Sequence, residues 1–348
     1  MKGSILSLVR LAPRDREAIG RIDPGLRLVE ASGWFDGEMR ETWPAFTTDR
    51  YLAPDSTGRG TREERDRLLA DAEVMLVGFP FPVDLRARAA GLAWVHQRPA
   101  GSSNMRHGDL WQSDVTVTSS RGHAHNLPIA EYVLAGMLHF LKGLHISSTE
   151  REAGGFNARG YPGLQVAGRT MCVIGVGGIG REVGRLAAAL AMRVTGVKRV
   201  PGPPDPAFDR VTGPDELHEI LGQADVIALC CQWTPQTHRM INAAAFAAMK
   251  PGALLINVAR GEIIDEEALC GALAAGTLGG VVLDVYDGEF ERPPDPRLWS
   301  DERVVITPHI SAKSDVNTHR GTALFLENLR LYLAGHPLKN VISWEQGY

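Results

Sequence analysis

Cysteine and aromatic residues are scarce in this chain of 348 residues: four cysteines, and Phe, Trp and Tyr together at 7%. The cysteines are Cys172, Cys230, Cys231 and Cys270, all in apolar segments. None has the paired spacing of a zinc site, and a bond between the adjacent Cys230 and Cys231 would strain the backbone, so they read as reduced core residues of a cytoplasmic protein. An excess of one charge is also missing. Lys and Arg number 37 against 41 Asp and Glu, a formal net charge of -4, which argues against general attraction to nucleic acid or an anionic membrane. No apolar run is long enough to span a bilayer. The opening stretch MKGSILSLVRLAP, broken by Arg10, is too short for a secretory leader and reads as a first strand. Internal repeats and low-complexity segments are absent.

What remains is ordinary globular material, 44% hydrophobic and 22% charged, at a length that suggests two domains. In the first part AEVMLVGF (72–79) and LAWVHQ (92–97) read as buried strands, and DLRARAAG (84–91) as a helix ending at glycine. Residues 33–63 lack periodicity and are expected to form loops. NLPIAEYVLAGMLHFLKGLH (126–145), with Pro128 near its start, reads as one long, buried helix. The Gly-rich 153–168 reads as a connector. From 170 onward strand-like runs recur (MCVIGV, RVTGV, DVIALCC, ALLINVA, GGVVLDV, RVVITPH) with helical segments between most of them, the texture of a parallel, doubly wound sheet. Residues 318–335 form an amphipathic helix closed by Gly335 and Pro337.

GVGGIG (175–180) fits G-x-G-x-x-G, a weak signal alone. Here it follows a strand and opens a helix with Val183, Leu186, Ala187 and Leu190 on one face, the context a dinucleotide site needs. Gly175 permits the turn, Gly177 lets a pyrophosphate approach the backbone, and Gly180 lets helix and strand pack. The next strand ends not in the usual ribose-binding acid but in Lys198 followed by Arg199. Neither accepts a hydrogen bond and both can bind a 2′-phosphate, so NADP(H) is expected to be preferred, with NAD(H) possible. Three later strands end near Arg260, near Asp284 with Glu289 beyond it, and near His309. Taken singly, such residues are commonly surface or structural. Behind a dinucleotide loop they compose a hydride-transfer site. Arg forks onto the carboxylate of a 2-oxo acid, a protonated imidazole gives its proton to the carbonyl oxygen, and a neighbouring carboxylate favours the charged imidazole. The two histidines of RGHAHN (121–126) lack a third ligand, so no metal site is expected. Trp94, Trp111 and Trp233 read as packing residues more than stacking platforms, with contact to the cofactor left open for Trp233.

With these motifs in order, the sequence resembles the D-isomer-specific 2-hydroxyacid dehydrogenase family over nearly its whole length, most densely from 126 to 313, and within it the glyoxylate and hydroxypyruvate reductases of the NADP-preferring branch. CVIGVGGIG, INVARGEIIDEEAL, GGVVLDVYDGE and VITPHIS are similar to its successive signatures. The resemblance implies an α/β protein of two domains: a dinucleotide-binding Rossmann domain, 123–315, inserted into a smaller flavodoxin-like substrate domain, 1–122 completed by 316–348. It implies that Arg260 binds substrate, that Glu289 pairs with the catalytic His309, and that Asp284 lies near the nicotinamide amide. Gly101 and Ser102 match the loop whose backbone N–H groups hold the substrate carboxylate. Gly178 and Ile179 match pyrophosphate contacts, and Cys231, Thr237, Val258, Ala259 and Ser311 match further positions around the cofactor. A homodimer with substrate in the cleft between domains is implied as well.

Lys198 departs from the family pattern, and so do CCQWTPQT (230–237) and QRPAGSSNM (97–105), where Arg98 and Asn104 either read a polar substrate tail or brace the loop. The leading expectation is an NADP(H)-dependent reductase of a small 2-oxo acid. A larger 2-oxo acid or phosphite is an alternative substrate. Formate fits less well, because its oxidation needs no proton transfer. A nucleotide-sensing corepressor on the same fold is the alternative of another class, with the acidic balance and the short stretch after the last helix against it. A binding module that has lost catalysis is opposed by the intact Arg260, Glu289 and His309.

Overall fold

The computed structural model describes residues 3–345 apart from 124, 204 and 316, and of 317–321 the backbone alone. In chain order the elements are β1 (Ser4–Ser7), α1 (Pro13–Ile22), β2 (Arg27–Glu30), α2 (Asp36–Thr42), α3 (Ala45–Tyr51), α4 (Arg62–Ala70), β3 (Val74–Val77), α5 (Leu85–Arg88), β4 (Trp94–Gln97) and β5 (Thr116–Ser119). There follow α6 (Asn126–Leu141), α7 (Leu144–Glu152), β6 (Thr170–Ile174), α8 (Gly178–Ala189), β7 (Arg193–Val197), β8 (Arg210–Thr212), α9 (Leu217–Leu221) and β9 (Val226–Leu229). The last are α10 (Ala243–Ala248), β10 (Ala253–Asn257), α11 (Glu266–Ala274), β11 (Leu278–Leu283), α12 (Pro296–Trp299), β12 (Val304–Ile306) and α13 (Asn317–Leu333).

Two compact units result. The first comprises Met1–Ala124, Phe290–Arg292 and Ser314–Tyr348; the second comprises His125–Glu289 and Pro293–Lys313. In the first, five parallel strands run in the order β2-β1-β3-β4-β5. Its central strands are short and buried along their whole length, which requires helices on both faces. One face packs Ile5, Leu76 and Trp94 on Phe325 and Leu329 of α13, and the other packs Leu6, Met75 and Val95 with Phe35 and Leu69. In the second unit seven parallel strands run β12-β11-β10-β9-β6-β7-β8, the doubly wound order with its reversal between β6 and β9. Ligands of such sheets bind beyond the carboxyl ends of the strands at that reversal.

Several elements depart from expectation. The stretch 33–63 holds two helices, α2 and α3, and leads into α4. The buried residues of α2 and α3 include Asp36, Glu38, Thr47 and Thr48, and Glu38 is held by Arg65 and by Arg88. Polar burial of this kind leaves no apolar periodicity to read. The helix expected over 126–145 stops at Leu141, because Gly143 turns into the left-handed region (φ +69) and a second helix, α7, begins. Helix α5 is a single turn that ends before Gly91. Strands β2, β5 and β8 escaped notice because β2 and β8 are part-exposed edges and β5 is largely polar.

Candidate active site

The glycine turn comes first. Gly175 leaves β6 at φ +104, and a Cβ there would lie 2.5 Å from the Cys231 backbone nitrogen. A Cβ on Gly180 would lie 2.0 Å from the Gly175 carbonyl oxygen, so β6 and α8 can meet only without one. Gly177, by contrast, faces open space: nothing stands within 4 Å of its would-be Cβ. Helix α8 then buries Gly180, Val183, Gly184 and Ala187, a stripe at helical spacing. The first N–H groups of such a helix have no partner within it and favour an anion. A glycine facing open space in front of these donors is what the pyrophosphate of a dinucleotide fits. Gly178, with Asn126 against it, and half-buried Ile179 belong to the same turn.

Around this turn, Cys231 comes close through its backbone. The Thr237 hydroxyl turns inward, donating to the Gln232 carbonyl at 2.7 Å and accepting from the Thr234 N–H at 2.8 Å. It closes a turn of its own loop, and Trp233 Nε1 donates to His238 Nδ1 across that loop at 3.3 Å. All four cysteines are free, and burial pushes the Cys172 and Cys231 thiols up to about 12. Half-buried Lys198 follows β7, its N–H bonded to the Thr212 carbonyl at 2.9 Å, and Arg199 beside it is exposed.

The carboxyl ends of β10, β11 and β12 supply the rest. Arg260 lies three residues beyond β10, on a turn tied by Asn257, a fully buried residue. Its Nδ2 donates to the Arg260 carbonyl at 2.9 Å and its Oδ1 accepts from the Ala259 N–H at 3.0 Å. Val258 and Ala259 are buried in that turn, and Arg260 is half-buried, with Nη1 donating to the Ala259 carbonyl at 2.6 Å. Helix α11 follows, capped by Asp265, which accepts from the Ala268 N–H at 3.2 Å.

Beyond β12, Thr307 to Ser311 form a tight turn with His309 at φ +53, a conformation that non-glycine residues adopt rarely. Asp284, 1% exposed, organises this turn. Its Oδ1 accepts from the Ile310 N–H at 2.7 Å and from the Thr307 hydroxyl at 2.7 Å, and its Oδ2 accepts from the Ser311 N–H at 2.9 Å. The Tyr132 hydroxyl of α6 donates to Thr307 at 2.5 Å, and burial pushes that phenol up to about 12. Asp284, expected beside the nicotinamide, thus directs its carboxylate into the turn that carries His309. Glu289 is buried, and its two carboxylate oxygens lie 3.0 and 3.2 Å from His309 Nδ1. The imidazole is 28% exposed. A histidine held at Nδ1 by a carboxylate presents Nε2 as its proton-exchanging atom.

Gly101 and Ser102 belong to the first unit, in the loop after β4. Gln97, fully buried, braces that loop. Its Nε2 donates to the Gly101 carbonyl at 2.9 Å, and its Oε1 accepts from Asn104 Nδ2 at 3.1 Å. Asn104 therefore braces the loop, and Arg98 reaches Thr322 Oγ1 at 3.1 Å. Trp94 packs on Phe325 with ring centroids 5.3 Å apart, and Trp111 on Trp344 at 4.9 Å. Asn257, Tyr132, Thr307 and Gln97 were missed from the sequence. Thr307, in VITPHIS two residues before His309, and Asn257, in INVARG three residues before Arg260, were within reach of a motif. No metal-binding cluster occurs among the described residues. No single helix among them is long and apolar enough to cross a membrane.

Comparison with known proteins bears on the family and the fold. The model of the D-isomer specific 2-hydroxyacid dehydrogenase NAD binding domain matches residues 134–311. The (S)-sulfolactate dehydrogenase of Chromohalobacter salexigens is 33% identical over 79% of this chain and 85% of its own. Two solved structures share the fold over the full length of both chains. One is a D-isomer specific 2-hydroxyacid dehydrogenase from Xanthobacter autotrophicus Py2 in complex with NADPH and MES (TM-score 0.77, 24% identity). The other is an NADPH-dependent glyoxylate/hydroxypyruvate reductase from Sinorhizobium meliloti in complex with NADP and sulfate (TM-score 0.76, 22% identity). The chain belongs to the D-isomer-specific 2-hydroxyacid dehydrogenases, oxidoreductases that act on CH–OH groups with a nicotinamide dinucleotide.

Proposed function

We propose that this protein reduces a small 2-oxo acid, of the glyoxylate or hydroxypyruvate type, to the D-2-hydroxy acid with NADPH in preference to NADH. The bound dinucleotide supplies the hydride. Arg260 pairs with the substrate carboxylate and polarises the neighbouring carbonyl. His309 gives the proton at Nε2 to the carbonyl oxygen, and Glu289, at Nδ1, fixes the imidazole's orientation. Asp284 holds the turn on which His309 stands. Gly101 and Ser102 offer backbone donors to the carboxylate, and Ser311, Val258 and Ala259 flank the nicotinamide end. The observation that carries the reading is the buried Glu289 against His309 Nδ1, in a unit whose glycine turn leaves space at Gly177. Lys198 and Arg199, after β7, support the 2′-phosphate preference. We take 1–122 with 316–348 as the substrate domain and 123–315 as the cofactor domain. A homodimer is part of the proposal, supported by exposed apolar Leu144 (56%) and Phe156 (106%).

The test is steady-state turnover of glyoxylate, hydroxypyruvate, pyruvate and phenylpyruvate, each with NADPH and NADH. Turnover of a small 2-oxo acid with NADPH is expected. His309→Ala should lower kcat by about 10²–10⁴ with dinucleotide binding retained; full turnover in this variant would overturn the proton-donor role. Tight dinucleotide binding without turnover of any 2-oxo acid would favour the sensor reading.

A further inference from the structure

The segment that leaves β7 at Lys198 returns to the body of its unit at Phe208, which is 9% exposed. The Phe208 ring lies against Gly184 of α8 and Gly196 of β7, where a Cβ would approach it to 2.7 and 3.0 Å. Just before this anchor stands an acid, Asp205, in the same loop as the basic pair. Its side chain is 18% exposed. The Asp205 carbonyl accepts from the Phe208 N–H at 3.0 Å, and Oδ1 accepts from the Ala207 N–H at 3.1 Å. The acid is therefore fixed in place. Its other oxygen, Oδ2, lies 3.0 Å from Nε of Arg181, whose side chain is 59% exposed. Arg181 is the residue after Gly180, in the first turn of the helix that begins at the glycine turn. Earlier in the same loop, Lys198 Nζ stands 3.8 Å from the Cβ position of Gly202.

A fixed carboxylate in the loop that carries Lys198 and Arg199 is a liability for phosphate binding there. A 2′-phosphate carries close to two negative charges and is repelled by any uncompensated acid nearby, whereas a ribose with two hydroxyls is not. We propose that the Arg181–Asp205 ion pair sets the degree of preference for a 2′-phosphorylated dinucleotide: Arg181 masks the charge of Asp205, and Asp205 holds Arg181 off the phosphate. The inference rests on the reading of Lys198 and Arg199 as the 2′-phosphate site. Neither Arg181 nor Asp205 is assigned contact with substrate or cofactor. They are specificity residues acting through the field around the loop.

The consequences differ in sign for the two partners. Arg181→Ala exposes the carboxylate and should weaken NADPH roughly two- to fivefold while leaving NADH unchanged, the range expected of a part-exposed charge. Asp205→Asn removes the repulsion, frees Arg181 to turn to the phosphate, and should tighten NADPH by a similar factor. The double variant, which lacks both charges, should return close to the parent, the two opposite effects cancelling. Arg181→Lys should keep the parent preference, and all differences should shrink in 1 M salt.

The experiment is direct titration of the full chain with NADPH, NADH, adenosine 2′,5′-bisphosphate and 5′-AMP. Opposite shifts of the NADPH-to-NADH affinity ratio in Arg181→Ala and Asp205→Asn, echoed by the bisphosphate but not by 5′-AMP, support the inference. Equal weakening of both dinucleotides in Arg181→Ala, or an unmoved ratio in Asp205→Asn, overturns it. Lys198→Ala separates the two levels. If it erases the NADPH preference while the Arg181 and Asp205 variants keep it, only the ion-pair inference fails. If Lys198→Ala leaves the ratio untouched, the 2′-phosphate reading falls and this inference falls with it.

Discussion

Replacing Asp284 by asparagine tests the architecture beneath the catalytic histidine. The carboxylate is 1% exposed and both oxygens are used: one accepts from Thr307 and Ile310, the other from Ser311. An asparagine keeps one acceptor oxygen and turns an NH₂ toward a second donor, since Thr307 and the two backbone N–H groups all donate. One charge-assisted bond is lost, at about 1.5–3 kcal/mol, and the remaining two weaken from charged to neutral, about 1 kcal/mol more. The expected destabilisation is roughly 2.5–4 kcal/mol, concentrated on the 307–311 turn. His309 holds a left-handed conformation (φ +53) that this turn imposes, so its imidazole should drift from Glu289. We expect kcat to fall by at least about tenfold, a misplacement effect. Urea unfolding measures the stability. Hydrogen exchange at the Ile310 and Ser311 amides reports the local opening, which should become faster. Stability unchanged within about 0.5 kcal/mol, together with unaltered exchange at these amides, would refute the account.

Other expectations follow from separate features. His96 is fully buried, with Nδ1 2.8 Å from Thr118 Oγ1 and Nε2 3.2 Å from Ser120 Oγ, and burial depresses its pKa to about 3. The folded protein thus refuses a proton that the unfolded chain takes up near its ordinary pKa of about 6.5, so stability is full above that pH and declines as pH falls toward 3. Roughly 2 kcal/mol should be lost between pH 6.5 and 5, and a His96→Gln variant should show a flatter profile in urea unfolding across that window. Gly180→Ala places a methyl group where the Gly175 carbonyl stands 2.0 Å away. It should cost about 3 kcal/mol and weaken both dinucleotides by calorimetry, whereas Gly177→Ala, facing open space, should fold normally and lose only dinucleotide affinity. Glu289→Gln should keep a hydrogen bond to His309 and lose the carboxylate charge beside it, and kcat for reduction should fall in a steady-state assay.

The sequence by itself determined the parts whose chemistry is local. GVGGIG after a strand specified the turn, because only glycine permits φ +104 at Gly175 and the backbone approach at Gly180. The apolar runs from 170 onward specified a parallel sheet, because strands covered on both faces are apolar throughout. Arg260, Glu289 and His309 could be named from their places after strands, and the tertiary structure decided their contacts. That Glu289 meets Nδ1 of His309, 20 positions away, depends on the parallel pairing of β11 with β12. That Asp284 serves the histidine's turn follows from where β11 ends, since a buried carboxylate must be met by donors wherever they lie. Gln97 carries no motif, and Asn257 stands inside INVARG with nothing in the sequence to give its role: each braces the backbone of its own loop, and only the folded chain shows that the brace is needed. The helices of 36–51 were hidden for the same reason, their burial resting on polar residues and on ion pairs with α4 and α5, the kind of long-range pairing that periodicity along the chain does not encode.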